Sequence, residues 1–578
     1  MAKKMKNIAA KKVRLNLTTS EHRGNMKTSK LMALLATVTL LATSLSSCSL
    51  IGASAMSTVD DFANQSITWE KCDPDLELDA NRQSDVFKSV ENVDCTGVLV
   101  PANYDDIAGS PQYLIKMMRL NTATSENYMG TIFINPGGPG ASGIEQLQWS
   151  NFPEEITKHY NIIGFDPRGV GSSDFSDGTE IKCSDTLDFR TYFEGEASPA
   201  SLAEYKDSLK LNDEYYQDCV DRNPYWWTLS TKNVVADLEI MRKALLKDEP
   251  LNFIGSSYGT TIAGLFVSTY PDSVGKIVLD SPTSSREDLI ASALENYKAQ
   301  EAMLNRLLTY YAGTKGIGVE AAFQELLGYR QLADDDKLVG FAGIVESTDM
   351  PGKMVSSESM LIKGIMTMNY LPEEDANQAF AQAMGQLAKG GYNDIFEWYG
   401  FTLDGYDPNS LEGATLEDKK ITRDNSYEVM TMVNSMDYSP ADLTTAEQKS
   451  LSAQVKKVAP RWSKLTSDAS GYEYFGENLG LDWKKIALAD PDIPDPRTEP
   501  LERVNESGKQ LLIIGSMRES VTPYAFSKET ARLLKSPMIS VDGTEHAPAA
   551  SYKSVCINQV LVDYFVSNKT ITDKTCQP

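Results

Sequence analysis

One short turn constrains this chain more than any other feature. Gly255-Ser256-Ser257-Tyr258-Gly259 follows directly on the apolar run Leu251–Ile254 and leads into Thr260–Tyr270, a helix-compatible segment. A strand that bends this sharply into a helix has no space for side chains beside the bend, which is what the flanking glycines provide. Ser257 is in register with the G-x-S-x-G spacing and Ser256 is not. Ser257 is therefore expected at the tip of a strand, with a helix N-terminus beside any negative charge that develops there.

The same strand-then-turn pattern recurs. Thr131–Asn135 runs into Pro136-Gly137-Gly138-Pro139-Gly140, Tyr160–Phe165 into Asp166-Pro167-Arg168-Gly169, and Lys276–Leu279 and Leu511–Ile514 are further apolar runs. Such continuous runs suit central strands of a parallel sheet, buried on both faces. Alternation with helical segments predicts an α/β fold with a mostly parallel, doubly wound sheet. Between about 285 and 505 strand-like runs are scarce, and segments such as Leu289–Ala312 and Asp375–Gly390 read as helices. The expected organisation is a core over 66–285, a mainly helical cap inserted at 286–505, and a second part of the core over 506–578, with Asp490–Pro496 as the linker returning to the sheet.

A serine hydroxyl needs a base to act as a nucleophile. The chain has three histidines. His22 lies in the leader and His159 precedes an early strand, where it reads as a surface residue. His546 follows the strand-like run Met538–Val541, the place of the base in the chain order serine, acid, histidine. The acid that orients the imidazole should follow Leu511–Ile514, which selects Glu519. Asp280, at the end of Lys276–Leu279, is the alternative acid; otherwise it reads as a helix cap or loop hydrogen-bonding group. The oxyanion donors are expected to be the backbone N–H of Tyr258 and that of Gly138 in the Asn135–Gly140 loop.

The N-terminus reads as a targeting segment over residues 1–47. Lys3–Lys30 form a basic region, Leu31–Leu45 an apolar run too short to span a bilayer comfortably, and Leu45-Ser46-Ser47-Cys48 resembles a lipobox. Cys48 is then the lipidated first residue of the mature chain, and 48–65 a small, polar tether. Met26–Cys48 is by itself a complete short signal of this kind. Six further cysteines remain, Cys72, Cys95, Cys183, Cys219, Cys556 and Cys576. An even number in an exported chain points to disulfides; the sequence does not select a connectivity, and neighbour pairing is the simplest. No Cys/His cluster has zinc spacing, so no metal and no cofactor are expected. Beyond residue 47 the chain carries 46 basic against 79 acidic groups, a balance that disfavours nucleic acid and anionic lipid and tolerates cationic ligands such as a peptide amine. Contact with a membrane is expected through the N-terminal lipid alone. The sequence fixes no oligomeric state.

Together these segments resemble the secreted tripeptidyl aminopeptidase and prolyl aminopeptidase-like α/β hydrolases. The resemblance rests on Asn135–Gly143, Gly164–Ser173, Thr231–Leu245 with Asp237 and Arg242, Gly255–Thr260, Val278–Asp280, Val521–Pro523, Val541–Gly543 leading to His546, and Trp69–Cys72 followed by Cys95 and Val100–Pro101. It covers about 69–285 and 506–578; the block between matches in position and length. Glu519 stands where the family has an aspartate, in a loop one residue longer. The resemblance implies an α/β-hydrolase fold and a serine exopeptidase facing the outside of the cell. Such an enzyme removes short peptides or single residues from free N-termini, with acidic cap residues binding the amine. A carboxylesterase on small esters would use the same residues.

Overall fold

The computed structural model describes residues 56–72, 84, 87, 93–123, 126–183, 202–284, 289–335, 337–340, 354–390, 393–397, 425–437, 445–466, 504–551 and 553–578. The leader over 1–47, Cys48 and the 490–496 linker lie outside these residues.

The described strands are β1 (Glu70–Lys71), β2 (Val93–Pro101), β3 (Gln112–Leu120), β4 (Gly130–Asn135), β5 (Tyr160–Phe165), β6 (Leu251–Ser256), β7 (Val274–Asp280), β8 (Val339–Gly340), β9 (Met354–Val355), β10 (Leu512–Ser516), β11 (Met538–Val541) and β12 (Lys574–Cys576). Ten of them form one sheet in the order β1-β2-β3-β5-β4-β6-β7-β10-β11-β12. From β5 to β12 every pairing is parallel, whereas β1, β2 and β3 are joined to one another and to β5 antiparallel. This is the α/β-hydrolase fold, with an antiparallel edge that the apolar runs alone do not reveal.

The central strands are apolar at successive positions because both faces are covered. Phe133, Ile163, Phe253, Ile277, Leu279 and Ile513 enter one core, while Ile132, Ile134, Ile162, Ile254, Val278, Leu512 and Ile514 enter the other. Residues of opposite parity thus feed opposite cores, as the period of a strand requires. A third apolar cluster lies outside the sheet and joins the helices Leu289–Lys315, Val319–Asp334, Glu358–Thr367, Glu373–Gly390 and Pro460–Thr466.

The helix Ser426–Asp437, inside the 286–505 block, does not join that cluster. Its Val429, Met432, Val433 and Met436 recur at helical spacing and pack into a core of the sheet. Asn425 fixes its start: Nδ2 donates to the Gly169 and Ile181 carbonyls at 2.8 and 3.1 Å, and Oδ1 accepts the Gly171 N–H at 3.2 Å.

A second difference concerns the tether. Residues 48–65 read as small and polar, yet Val59–Ala63 is a helix that sinks Phe62 completely into the core. Thr58 opens it with a capping box, in which the Thr58 hydroxyl accepts the Asp61 N–H and the Asp61 carboxylate accepts the Thr58 N–H at 2.9 Å. Five residues are too few to display a helical period, so the sequence does not announce the docking of Phe62, beside which Met56 and Ile67 also pack.

Three disulfides close neighbouring cysteines: Cys72–Cys95, Cys183–Cys219 and Cys556–Cys576. Three such bonds mark a chain that folds outside the reducing cytoplasm. Among the described residues, no helix is long and apolar enough to cross a membrane.

Candidate active site

The C-terminal ends of β6, β7, β10 and β11 lie side by side. Ser256 pairs with Asp280, Asp280 with Ile514, and Ser516 with Val541. The loops leaving these ends carry Ser257, Ser281, Glu519 and His546. Parallel strands bring residues distant in sequence to one edge of the sheet, where open α/β sheets form their sites.

Ser257 adopts a left-handed backbone with φ 53°. An L-residue pays about 1–2 kcal/mol for that conformation, so the surroundings must impose it. Its N–H donates to the Asp280 carbonyl at 2.9 Å, and its own carbonyl accepts the Thr260 N–H at 2.9 Å and the Thr260 hydroxyl at 2.6 Å. Within 251–260 every other residue is buried, and Ser257 alone is partly open.

The Asn135–Gly140 loop lies against this bend. A Cβ placed on Gly137 would stand 2.7 Å from the Tyr258 nitrogen and 3.0 Å from the Ser257 Cβ, so only glycine permits the approach. The Gly137 N–H is engaged by the Asn135 Oδ1 at 3.0 Å, which leaves the following amide, Gly138, as the loop's candidate donor. Asp166, from the second Gly/Pro motif, braces the far side of the loop. It accepts the Ser142 hydroxyl at 2.5 Å and the Ile144 N–H at 3.3 Å, and burial raises its carboxyl above the usual range.

Glu519 and His546 meet directly: Oε1 contacts the imidazole Nδ1. Both are largely withdrawn from water, with side-chain exposures of 0% for Glu519 and 11% for His546. The Glu519 carboxylate is further held by the Thr522 N–H at 3.0 Å, the Thr522 hydroxyl at 2.5 Å and the Ser281 hydroxyl at 2.7 Å. Asp280, the alternative acid, faces elsewhere. Its Oδ2 accepts the N–H groups of Ala549 and Ala550 at 3.0 and 3.1 Å, and burial, with the Glu519 charge adding to it, pushes its carboxyl well above the normal range. Of the two carboxyls, Glu519 is therefore the one that touches the imidazole. His159 pairs its ring with the Asn127 carbonyl at 2.9 Å, before the start of β5 and away from these loops.

Sequence reasoning did not single out Ser281 or Tyr370. Tyr370, in the turn Met368–Tyr370 of the inserted block, has its ring against that of His546. Nearby, the Gln300 side chain donates to the Ser520 carbonyl at 3.1 Å, Asn369 contacts the Ser520 hydroxyl, and Arg518 pairs with Glu373 at 3.0 Å. The inserted helices are thus tied to the loop that carries Glu519. Among the described residues, no group of three metal-ligating side chains is placed to hold an ion.

The family model described as alpha/beta hydrolase fold matches residues 130–322, and that described as TAP-like protein matches 482–576. The chain is 32% identical over 243 residues to the tripeptidyl aminopeptidase of Streptomyces lividans, a match covering 39% of this chain and 40% of that protein. That match thus spans well under half the length of the relative. It is 24% identical over 502 residues to serine protease Hip1 of Mycobacterium tuberculosis, covering 82% of this chain and 85% of that one. It is also 24% identical over 489 residues to carboxylesterase B of Mycobacterium tuberculosis, covering 82% and 84%. The bend at Ser257, the C-terminal segment that carries Glu519 and His546, and these two family matches agree on one likeness: the chain has the α/β-hydrolase fold and is similar to the tripeptidyl aminopeptidase-like hydrolases.

Proposed function

We propose that this chain is an extracytoplasmic serine exopeptidase that releases short peptides or single residues from the free N-termini of oligopeptides. The observation that carries the reading is the buried Glu519–His546 contact on loops beside the strained Ser257. In this reading the Ser257 Oγ attacks the scissile carbonyl while the His546 Nε2 takes its proton. Glu519 holds the opposite ring nitrogen and stabilises the imidazolium that forms. The Tyr258 and Gly138 N–H groups receive the oxyanion. Collapse of the tetrahedral intermediate breaks the C–N bond, His546 returns the proton to the leaving amine, and water then hydrolyses the acyl-enzyme by the same route. Residues of this chain suffice for every step.

The peptide assignment draws on the tripeptidyl aminopeptidase and the serine protease among the relatives. Carboxylesterase B supports a second reading, an esterase with the same three residues and a different pocket. Purified protein assayed on matched peptide and ester chromogenic substrates, beside Ser257→Ala, separates the two. Peptide cleavage that disappears on acylating the substrate's N-terminus supports the exopeptidase; ester turnover alone overturns it.

We also propose that Cys48 carries the lipid that tethers the enzyme outside the membrane. Mass spectrometry of the mature N-terminus, in native protein and in Cys48→Ala, tests it: an unmodified Cys48 would refute the anchor.

A further inference from the structure

The end of β7 touches every part of the catalytic arrangement. The Asp280 carbonyl accepts the Ser257 N–H at 2.9 Å, and the Asp280 carboxyl accepts the N–H groups of Ala549 and Ala550, in the turn after His546. Ser281 does more with a single residue. Its N–H donates to the Ile514 carbonyl at 2.8 Å, which fixes it to β10. Its carbonyl lies 3.0 Å from the Thr522 hydroxyl oxygen, whose one proton it shares with the closer Glu519 carboxylate, in the loop that carries Glu519. Its hydroxyl donates to the Glu519 Oε2 at 2.7 Å and accepts the Ala547 N–H at 3.0 Å. The residue is fully buried and has φ 54°, and Ala547, which it holds, has φ 52°. Two adjoining positions in a disfavoured conformation, joined by one hydroxyl, are held by their surroundings.

We propose that Ser281 is a positioning residue for hydrolysis, acting through Glu519. Its hydroxyl sets the carboxylate plane so that Oε1 meets the imidazole, and the same oxygen anchors the backbone that follows His546. One hydroxyl therefore fixes the acid and the base relative to each other, while the adjoining Asp280 carbonyl fixes the nucleophile. The Asp280 carboxyl holds the turn after His546 through the Ala549 and Ala550 N–H groups. The inference rests on the reading of Ser257, His546 and Glu519 as the catalytic machinery.

The test uses the mature chain and the rate of covalent labelling of Ser257 by a fluorophosphonate, which does not depend on knowing the substrate. Ser281→Ala removes the hydroxyl. Ser281→Gly removes it too, but suits the left-handed backbone and so keeps the fold where alanine strains it. Each is made in the native chain and in Glu519→Gln. Loss of a charge-assisted hydrogen bond of this kind slows labelling about tenfold in the native background. In Glu519→Gln the same changes cost less than about twofold, because residues that act as a unit are not additive. A general structural role predicts equal losses in both backgrounds, and that result overturns the proposal. Native-rate labelling of both Ser281 variants beside a slow Glu519→Gln overturns this inference alone. Native-rate labelling of Glu519→Gln removes the acid assignment, and this inference with it.

Discussion

Tyr370 stands edge-on to His546, with ring centroids 5.6 Å apart and planes 86° apart. The contact joins the inserted helical block to the imidazole itself. Tyr370 keeps 47% of its surface exposed, so its other side borders open space next to the site. Edge-to-face pairs contribute about 0.5–1.5 kcal/mol beyond their buried area, enough to bias the orientation of a ring. Tyr370→Ala is expected to lower kcat/KM on peptides about three- to tenfold, with the larger share in kcat. Tyr370→Phe keeps the ring contact and should retain most of the activity. Steady-state kinetics of the two variants check this; an alanine variant with native constants would separate the block from the chemistry.

The two buried carboxyls at this edge should respond in opposite ways. Glu519→Gln leaves the imidazole without its negative partner and permits the wrong tautomer, so kcat should fall by about two to four orders of magnitude with little change in binding. Asp280→Asn keeps an oxygen for the Ala549 and Ala550 N–H groups and replaces a carboxyl that burial already holds toward its neutral form. Its kcat should stay within about tenfold of native. Parallel kinetics of the two variants decide the matter, and the reverse order of losses would transfer the acid's role to Asp280.

Arg168 and Asp237 form a pair with side-chain exposures of 0% and 2%. The guanidinium Nε donates to the Asp237 Oδ2 at 2.7 Å, and its other nitrogens donate to the Ala102, Thr228 and Pro101 carbonyls at 2.8, 3.0 and 3.1 Å. Tyr104 adds its hydroxyl to the Asp237 Oδ1 at 2.6 Å. Breaking such a pair from one side leaves a buried charge uncompensated. Asp237→Asn should therefore cost about 3–5 kcal/mol of stability, read as a lower denaturation midpoint in urea. A midpoint within error of native would contradict a structural role for the pair.

What the sequence reveals follows from the range of the forces involved. Ser257 is legible because its turn is local: the glycines, the preceding apolar run and the following helix lie within about a dozen residues of it. His546 stands out by elimination; the even number of cysteines announces disulfides, while their connectivity is set by the fold. Ser281 is not legible. Its partners Ile514, Glu519 and Ala547 are more than two hundred residues away, and nothing near Asp280-Ser281 announces a left-handed serine. The same holds for Tyr370, whose direction depends on how the inserted helices pack. The helix Ser426–Asp437 shows its apolar stripe in the sequence; that the stripe faces the sheet is decided by Asn425 and the turns at Gly169 and Gly171. β2 and β3 escape for another reason. Polar and apolar residues are mixed along them, and their partners are decided by pairing across the edge of the sheet.

Asp437 gives the fold a pH dependence of defined sign. It lies half-buried at the end of the helix Ser426–Asp437, where its carboxyl accepts the Thr231 N–H at 2.9 Å and the Thr231 hydroxyl, which in turn meets the Tyr258 hydroxyl. Burial pushes the carboxyl up to about 6, against the opposing pull of the Thr231 hydrogen bonds and the Lys232 charge. The unfolded value is about 4, so folding favours the protonated form. The stability it contributes is complete below about pH 4 and is lost as pH rises through about 6. Asp437→Asn cannot lose a proton and removes this slope. The difference in melting temperature between variant and native protein should thus shift in favour of the variant from pH 4 to pH 7, and change little above that. Melts at half-unit steps measure it, and a difference that stays constant across the range would show that Asp437 does not titrate between the two states.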